Sequence, residues 1–301
     1  MTAPALEVRG LRIVFRAGER KSTALDGVDL EVAPGEILAL IGERGSGARA
    51  LARAVAGVAQ ARPGAEITGS VRISGREALE APPREAARAR RDGLRALAGD
   101  PAGWPDPALP LARQGAEIGV EIDAALLAAA GLAAEVAAAR PARALAEGAR
   151  RRAGLALALA GAPPLLVLEA PADLLDPASR REMMAALRAL ARASGTAVLL
   201  TARDLPEAAE AADRVLVLYA GRPCEAGPAR GVLARPAHAY TAELLGARID
   251  LLADRAGPLP TPPGARPAAA ETGPRCGYVA RCPIAVMTCE RSRPPMRPLP
   301  W

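Results

Sequence analysis

The sequence predicts an α/β fold built on a parallel sheet, and three observations carry that expectation. Between residues 163 and 221 short apolar runs alternate with helical stretches, the pattern of parallel strands joined by crossover helices. Residues 38–57, LALIGERGSGARALARAVAG, set a glycine-rich loop between an apolar strand and a helix. The first third is otherwise rich in strand patterns, so a second, antiparallel β-subdomain is expected around that strand-loop-helix unit.

LEVRGLRIVF at 6–15 alternates roughly as a strand, and STALDGVDLEVAPGEILALIG at 22–42 gives two more, broken by Asp26-Gly27 and Pro34-Gly35 turns. LARAVAGVAQ reads as a helix, followed by a Pro63-Gly64 turn and a strand pair around ITGSVRISG at 67–75. From about 115 to 160 the chain is rich in Ala and Leu and is read as helix, with a break at Arg140-Pro141. PPLLVLEAP at 163–171 is a short apolar run bounded by prolines, expected as a fully buried parallel strand. A helix over SRREMMAALRALARAS, the strand GTAVLLTA, the helix DLPEAAEAA and the strand RVLVLYAG follow. After about residue 250 the composition turns to Pro, Gly and Arg, so the expected division is 1–250 as one domain and 251–301 as a C-terminal extension.

The chain has 301 residues, 50% of them hydrophobic, enough to bury a substantial core. Only 2% are aromatic, and Ala and Arg stand where larger apolar residues or Lys are usual, so a single Ala or Arg carries little meaning by itself. The net charge of +6 is spread over arginines interleaved with acids, which argues against a nucleic-acid surface. No run of roughly 18 apolar residues suits a bilayer span and no charged-then-apolar leader opens the sequence. The expectation is a cytosolic protein docked on a membrane partner.

Gly42-Glu43-Arg44-Gly45-Ser46-Gly47 keeps the glycine spacing of a phosphate-binding loop, but Ala48 and Arg49 stand where G-x-x-x-x-G-K-[ST] has Lys and then Ser or Thr. In such a loop, backbone amides cradle phosphate, the Lys offsets β/γ-phosphate charge and the hydroxyl holds Mg²⁺. By itself the glycine run reads as a plain strand-to-helix turn more readily than as a live site.

The landmarks ALDGVDLEVAPGEILALIGERGSG, ALAEGARRRAGLALALAGAPPLLVLEAPADLLDP, ADRVLVLYAGRPCEAGP, ARPAHAYTAELL and CGYVARCPIAVMTC come in an order that resembles the ATP-binding subunits of oligopeptide/dipeptide ABC importers. The resemblance covers nearly the whole chain. It implies a P-loop NTPase of RecA-like type: an ABC nucleotide-binding domain with an antiparallel β-subdomain, a helical subdomain at about 100–150 and a C-terminal extension. ATP and Mg²⁺ are the implied cofactors. The implied partners are a second ATP-binding subunit, two membrane-spanning permease subunits and, indirectly, an extracytoplasmic solute-binding protein, with no nucleic acid. The implied location is the cytoplasmic face of the cell membrane.

Carried over position by position, the resemblance implies nucleotide contacts at Gly42, Glu43, Arg44, Gly45, Ser46, Gly47, Ala48 and Arg49. Arg49 points about 100° away from the Lys position around a helix, with reach to a phosphate oxygen as the alternative. Phe15, the only Phe, is either the aromatic that stacks on adenine or a core strand residue. Glu169 takes the place of the Mg²⁺-binding Asp, Ala170 that of the glutamate that activates water, Arg203 that of the switch histidine, and Gly99 that of the γ-phosphate-sensing glutamine. The signature Leu-Ser-Gly-Gly becomes Leu145-Ala146-Glu147-Gly148, losing a hydroxyl and adding a negative charge facing the phosphate bound by the opposite subunit. Asp176 fits a dimer-contact aspartate or a helix N-cap. Arg150-Arg151-Arg152 is the basic stretch after the signature or a solvated helix face, and His238 is expected to be structural. The stretch between Gly99 and Ala146 is shorter than expected of the family.

A non-hydrolytic subunit is the expectation. The alternatives are an ATPase using Arg44 or Arg49 for phosphate and Glu169 for Mg²⁺, and a scaffold with no transport role. Cys276, Cys282 and Cys289 resemble a C-terminal motif that holds an iron–sulfur cluster in some members, but the fourth cysteine of that motif is missing and Cys224 is distant in sequence. Three free thiols in the tail are the favoured reading.

Overall fold

The structure is a computed structural model that describes residues 3–97, 103–133, 141–203, 205–247, 264 and 273–298. Two sheets organise it. The first, antiparallel, is built from β1 (Leu6–Ala17), β2 (Arg20–Val32), β4 (Ala65–Ile73) and β5 (Arg76–Glu77) in the order β2-β1-β4-β5. The second joins β3 (Ile37–Ile41), β6 (Leu94–Leu97), β7 (Leu165–Glu169), β8 (Ala197–Ala202), β9 (Arg214–Tyr219) and β10 (Arg222–Pro228) in the order β10-β9-β3-β8-β7-β6. All its pairings are parallel except β9 with β10.

Side-chain period explains how both sheets find a core. In β3, ILALI, every residue is buried: Ile37, Ala39 and Ile41 face one cluster, while Leu38 and Leu40 face the other. A strand covered on both sides must be apolar throughout. In β1 the buried positions are Leu6 and Val8, then Leu11 and Ile13, a change of parity. A register shift between Val8 and Leu11 produces it, with Gly10 at φ 55°. Asp26-Gly27 was expected as a turn, yet β2 runs through it. The register slips between Leu25 and Val28, so this pair is a bulge in a continuous strand.

Ten helices are described: α1 (Ala48–Val55), α2 (Pro83–Gly93), α3 (Leu111–Glu117), α4 (Ala124–Ala129), α5 (Glu147–Leu159), α6 (Pro177–Ser194), α7 (Leu205–Ala211), α8 (Ala229–Ala234), α9 (Ala239–Gly246) and α10 (Met287–Arg291). The stretch from about 115 to 160, expected as helix with one break at Arg140-Pro141, is broken further where it is described. Gly119 and Gly131 adopt φ of 71° and 68°, and Asp123 caps α4 through the Leu126 N–H. The expected break at Arg140-Pro141 lies at the edge of the described residues; from Pro141 the chain forms a short 3₁₀ turn, Ala142–Ala144, before α5. The sequence reading assigned no element to α2, β6, β10, α8 or α9.

Candidate functional site

Residues 42–47 leave the C-terminal end of β3 and turn into α1, the edge of a parallel sheet where ligands bind in open α/β folds. Steric room fixes the glycines. A Cβ on Gly42 would lie 2.4 Å from the Leu218 carbonyl oxygen, and one on Gly47 would lie 2.6 Å from that of Ala24. Gly45 and Gly47 have φ of 87° and 102°, backbone that glycine adopts without strain. The Ser46 N–H donates to the Glu43 carbonyl at 2.9 Å, and the Gly221 N–H to the Ser46 carbonyl at 2.8 Å. Residues 42–50 wall a cavity of about 210 Å³ together with Ala24, Ala170, Thr201, Ala202 and Arg203. The cradle shape is intact, and the Lys charge is not supplied by Ala48.

Glu169, the last residue of β7, is 1% exposed. Arg53 grips it bidentately: Nε donates to Oε1 at 2.7 Å and Nη2 to Oε2 at 3.0 Å. Arg49 Nε stands 3.6 Å from Oε2. Residues 49 and 53 are four apart on α1, hence on one face, and that face meets the end of β7. Mg²⁺ demands near-octahedral oxygen ligands. Here the carboxylate is held in a guanidinium fork and the hydroxyl position is Arg49. The donor set therefore does not fit Mg²⁺, contrary to the alternative that gave Glu169 to the metal.

Ala170 follows at φ 45°, its N–H donating to the Thr201 carbonyl at 3.0 Å and to Thr201 Oγ1 at 3.1 Å. Its methyl group cannot accept a proton. Arg203 ion-pairs with Asp173 rather than presenting an imidazole. Gly99 lies outside the described residues.

Leu145 and Ala146 lead into α5, with Ala146 at the N-cap position and offering no side-chain bond there. Gly148 is buried, and a Cβ on it would lie 2.9 Å from Ser179 Oγ. Glu147 was expected to add a negative charge facing the phosphate of an opposing subunit. Its carboxylate pairs with Arg150 and, at 2.7 Å, with Arg151. Burial works against ionisation of Glu147, but these two arginines outweigh it and hold the carboxyl below the ordinary range. The arginine run is not a solvated face. Arg151 is 3% exposed and donates to the Pro171 carbonyl at 3.1 Å, while Arg152 donates to the Ala130 carbonyl at 3.0 Å and pairs with Glu182. Asp176 has the geometry of a helix N-cap, accepting from the Ala178 and Ser179 N–H groups at 2.9 and 3.0 Å ahead of Pro177. Phe15 packs partly buried against the β-subdomain core, with the Arg62 guanidinium 4.4 Å over its ring.

The C-terminal segment returns to the loop. Arg281, 6% exposed, donates to Glu43 Oε2 at 3.0 Å and to the Tyr219 hydroxyl at 3.2 Å. The Glu43 N–H donates to the Tyr240 hydroxyl at 2.8 Å. Tyr219 meets Tyr240 and Tyr278 edge-on, with ring centroids 4.7 and 5.0 Å apart. His238 caps α9, its Nδ1 accepting from the Tyr240 N–H at 3.1 Å, and burial depresses its pKa.

Cys224, Cys276, Cys282 and Cys289 carry free thiols. Cys276 N–H donates to the Cys289 carbonyl at 2.9 Å, which folds the segment on itself. Burial first, and then neighbouring Cys276, pushes the Cys224 thiol up to about 12. Among the described residues no three His, Cys, Asp or Glu side chains are placed to hold a metal ion. The cysteines as arranged do not fit an iron–sulfur cluster.

Sequence reasoning missed Arg53, Arg281 and Tyr240. Arg53 had a signal, its i,i+4 relation to Arg49. The other two lie 238 and 197 residues from Glu43 and had none.

Comparison with known proteins places these features among relatives. A model described as ABC transporter matches residues 25–173, and one described as oligopeptide/dipeptide transporter, C-terminal region, matches residues 224–289. The oligopeptide transport ATP-binding protein OppD of Mycobacterium tuberculosis is 33% identical over 97% of this chain, and the chain spans about 50% of that relative's length. A protein of Brucella melitensis, named for peptide import and ATP binding, is 33% identical over 98% of this chain and 92% of its own length. Among solved structures, a dimeric ATP-binding cassette in a post-hydrolysis state with ADP and Pi superposes with a TM-score of 0.61 at 22% identity, covering 75% of this chain and 99% of that one. The cassette cbiO1 of Clostridium perfringens gives 0.62 at 21% identity, covering 77% and 91%. At those identities the structures speak for the fold, which is that of an ABC cassette. No helix among the described residues is long and apolar enough to cross a membrane.

Proposed function

We propose, from the premise that this chain belongs to the ABC transporter ATP-binding family of the oligopeptide/dipeptide type, that it is a non-hydrolytic ATP-binding subunit of a peptide importer. It acts as the structural partner of a second, hydrolytic ATP-binding subunit. The pair sits on the cytoplasmic face of the membrane against two permease subunits, fed indirectly by an extracytoplasmic solute-binding protein. Residues 1–250 form the nucleotide-binding domain and the remainder an extension that braces it.

One observation carries the proposal: the Glu169 carboxylate is clasped by Arg53 at 2.7 and 3.0 Å and is followed by Ala170. The acid that holds metal in the family faces a guanidinium, and the next residue cannot take a proton from water. Losing a general base alone costs about 10²–10⁴ in rate. The glycine cradle, which a Cβ at Gly42 or Gly47 would fill, remains able to offer amide N–H groups to phosphate. At the other half of the composite site, Ala146 gives an opposing subunit's phosphate no hydroxyl.

Steady-state hydrolysis of Mg²⁺–ATP by the purified chain tests this. The expected rate does not exceed that of its Glu169→Ala variant. A turnover that Glu169→Ala abolishes would establish an active ATPase and overturn the proposal.

A further inference from the structure

We infer that the nucleotide site works without a divalent cation, binding a polyphosphate on loop amides and fixed guanidinium charge; this rests on the nucleotide-binding reading above. At the pole where the family places Mg²⁺ against one acid, this chain places Arg49 and Arg53 against Glu169, at 3.6 and 2.7 Å. Two guanidinium charges and one carboxylate leave one net positive charge. A divalent cation and one carboxylate leave the same. The net charge at that pole is therefore the same, while its carrier changes from a metal to side chains.

The rest of the cavity agrees. Its walls carry Arg44, Arg49 and Arg203 and one carboxylate, Glu43; Arg203 is paired with Asp173 and Glu43 is tied to Arg281 at 3.0 Å. Of the wall hydroxyls, that of Thr201 already accepts the Ala170 N–H at 3.1 Å and that of Ser46 is buried beneath the start of α1. Besides water and phosphate oxygens, Mg²⁺ is usually held by one or two carboxylates, and the carboxylate at this pole is held in the Arg53 fork. Guanidinium groups, by contrast, match phosphate oxygens with paired donors and keep their charge at any accessible pH.

The test is titration of the full chain with trinitrophenyl-ATP, followed by fluorescence, in excess magnesium chloride and in excess EDTA. The expected dissociation constants agree within about threefold. A tenfold or greater tightening by magnesium, equivalent to about 1.4 kcal/mol, would overturn the inference, as would no saturable binding in either buffer. Arg49→Ser, at a side chain 57% exposed, is expected to weaken binding in EDTA by about tenfold and to make it respond to magnesium. An unchanged affinity in both buffers would also count against the inference. Hydrolysis of Mg²⁺–ATP is a separate readout: it would overturn the non-hydrolytic reading while these titrations still decide the metal requirement.

Discussion

Arg53 and Glu169 make a pair whose two halves are unequally buried, 38% and 1% exposed at the side chain. Removing the guanidinium would take the bidentate partner from a carboxylate held away from water, which Arg49 approaches only to 3.6 Å. Breaking a buried pair on one side typically costs 3–5 kcal/mol. Because Arg53 is partly exposed and Arg49 remains, we expect Arg53→Ala to destabilise the chain by about 2–3 kcal/mol, read from the shift in urea midpoint at unchanged slope. The residues at 48, 49, 170 and 203 were legible from the sequence as departures from a pattern, since a pattern fixes where a function should stand. What replaces the missing chemistry was not legible. Arg53 looks like any other arginine in a chain rich in them, and its partner lies 116 residues away. Glu147 shows what a pattern leaves out. A charge read singly from the sequence is balanced in the fold by Arg150 and Arg151, three and four residues along the same helix.

Strands were the more legible elements, because burial on both faces forces the continuous apolar runs seen at β3, β7 and β8. The helical region was less so. Alanine satisfies the buried and the exposed positions of a helix alike, so periodicity could not show where α3 and α4 stop; Gly119, Gly131 and the Asp123 cap decide that. The edge strand β6, LRAL, is too short for a period to stand out, and helix α2, PREAARARRDG, carries too many arginines and acids around its narrow buried face. At the connection from α5 to β7, Ala162 is exposed and holds φ 48°. A left-handed conformation costs a non-glycine residue about 1–2 kcal/mol. Ala162→Gly is expected to raise stability by about 0.5–1 kcal/mol, after the greater flexibility of glycine in the unfolded chain is offset. Thermal denaturation of the two proteins measures it, and a lower midpoint for the glycine variant would show that the turn is unstrained.

Across the whole molecule, the sheet that presents the glycine loop is braced from behind by the C-terminal return. Tyr240 holds the Glu43 N–H, Arg281 holds its carboxylate, and Tyr219, Tyr240 and Tyr278 pack edge to face in the core between them. All three tyrosines of the chain are thus spent on positioning one end of the loop. A chain that had merely drifted would not be expected to keep that brace and the glycine cradle while changing charge at the positions around the phosphate site. The central claim, that this subunit shapes the importer while another hydrolyses ATP, is tested most directly in the assembled importer. Photoreactive azido-ATP would be trapped there with orthovanadate under transport conditions, and the labelled subunit identified. The account predicts vanadate-dependent label on the second ATP-binding subunit and none on this chain; comparable vanadate-dependent label on this chain would contradict it.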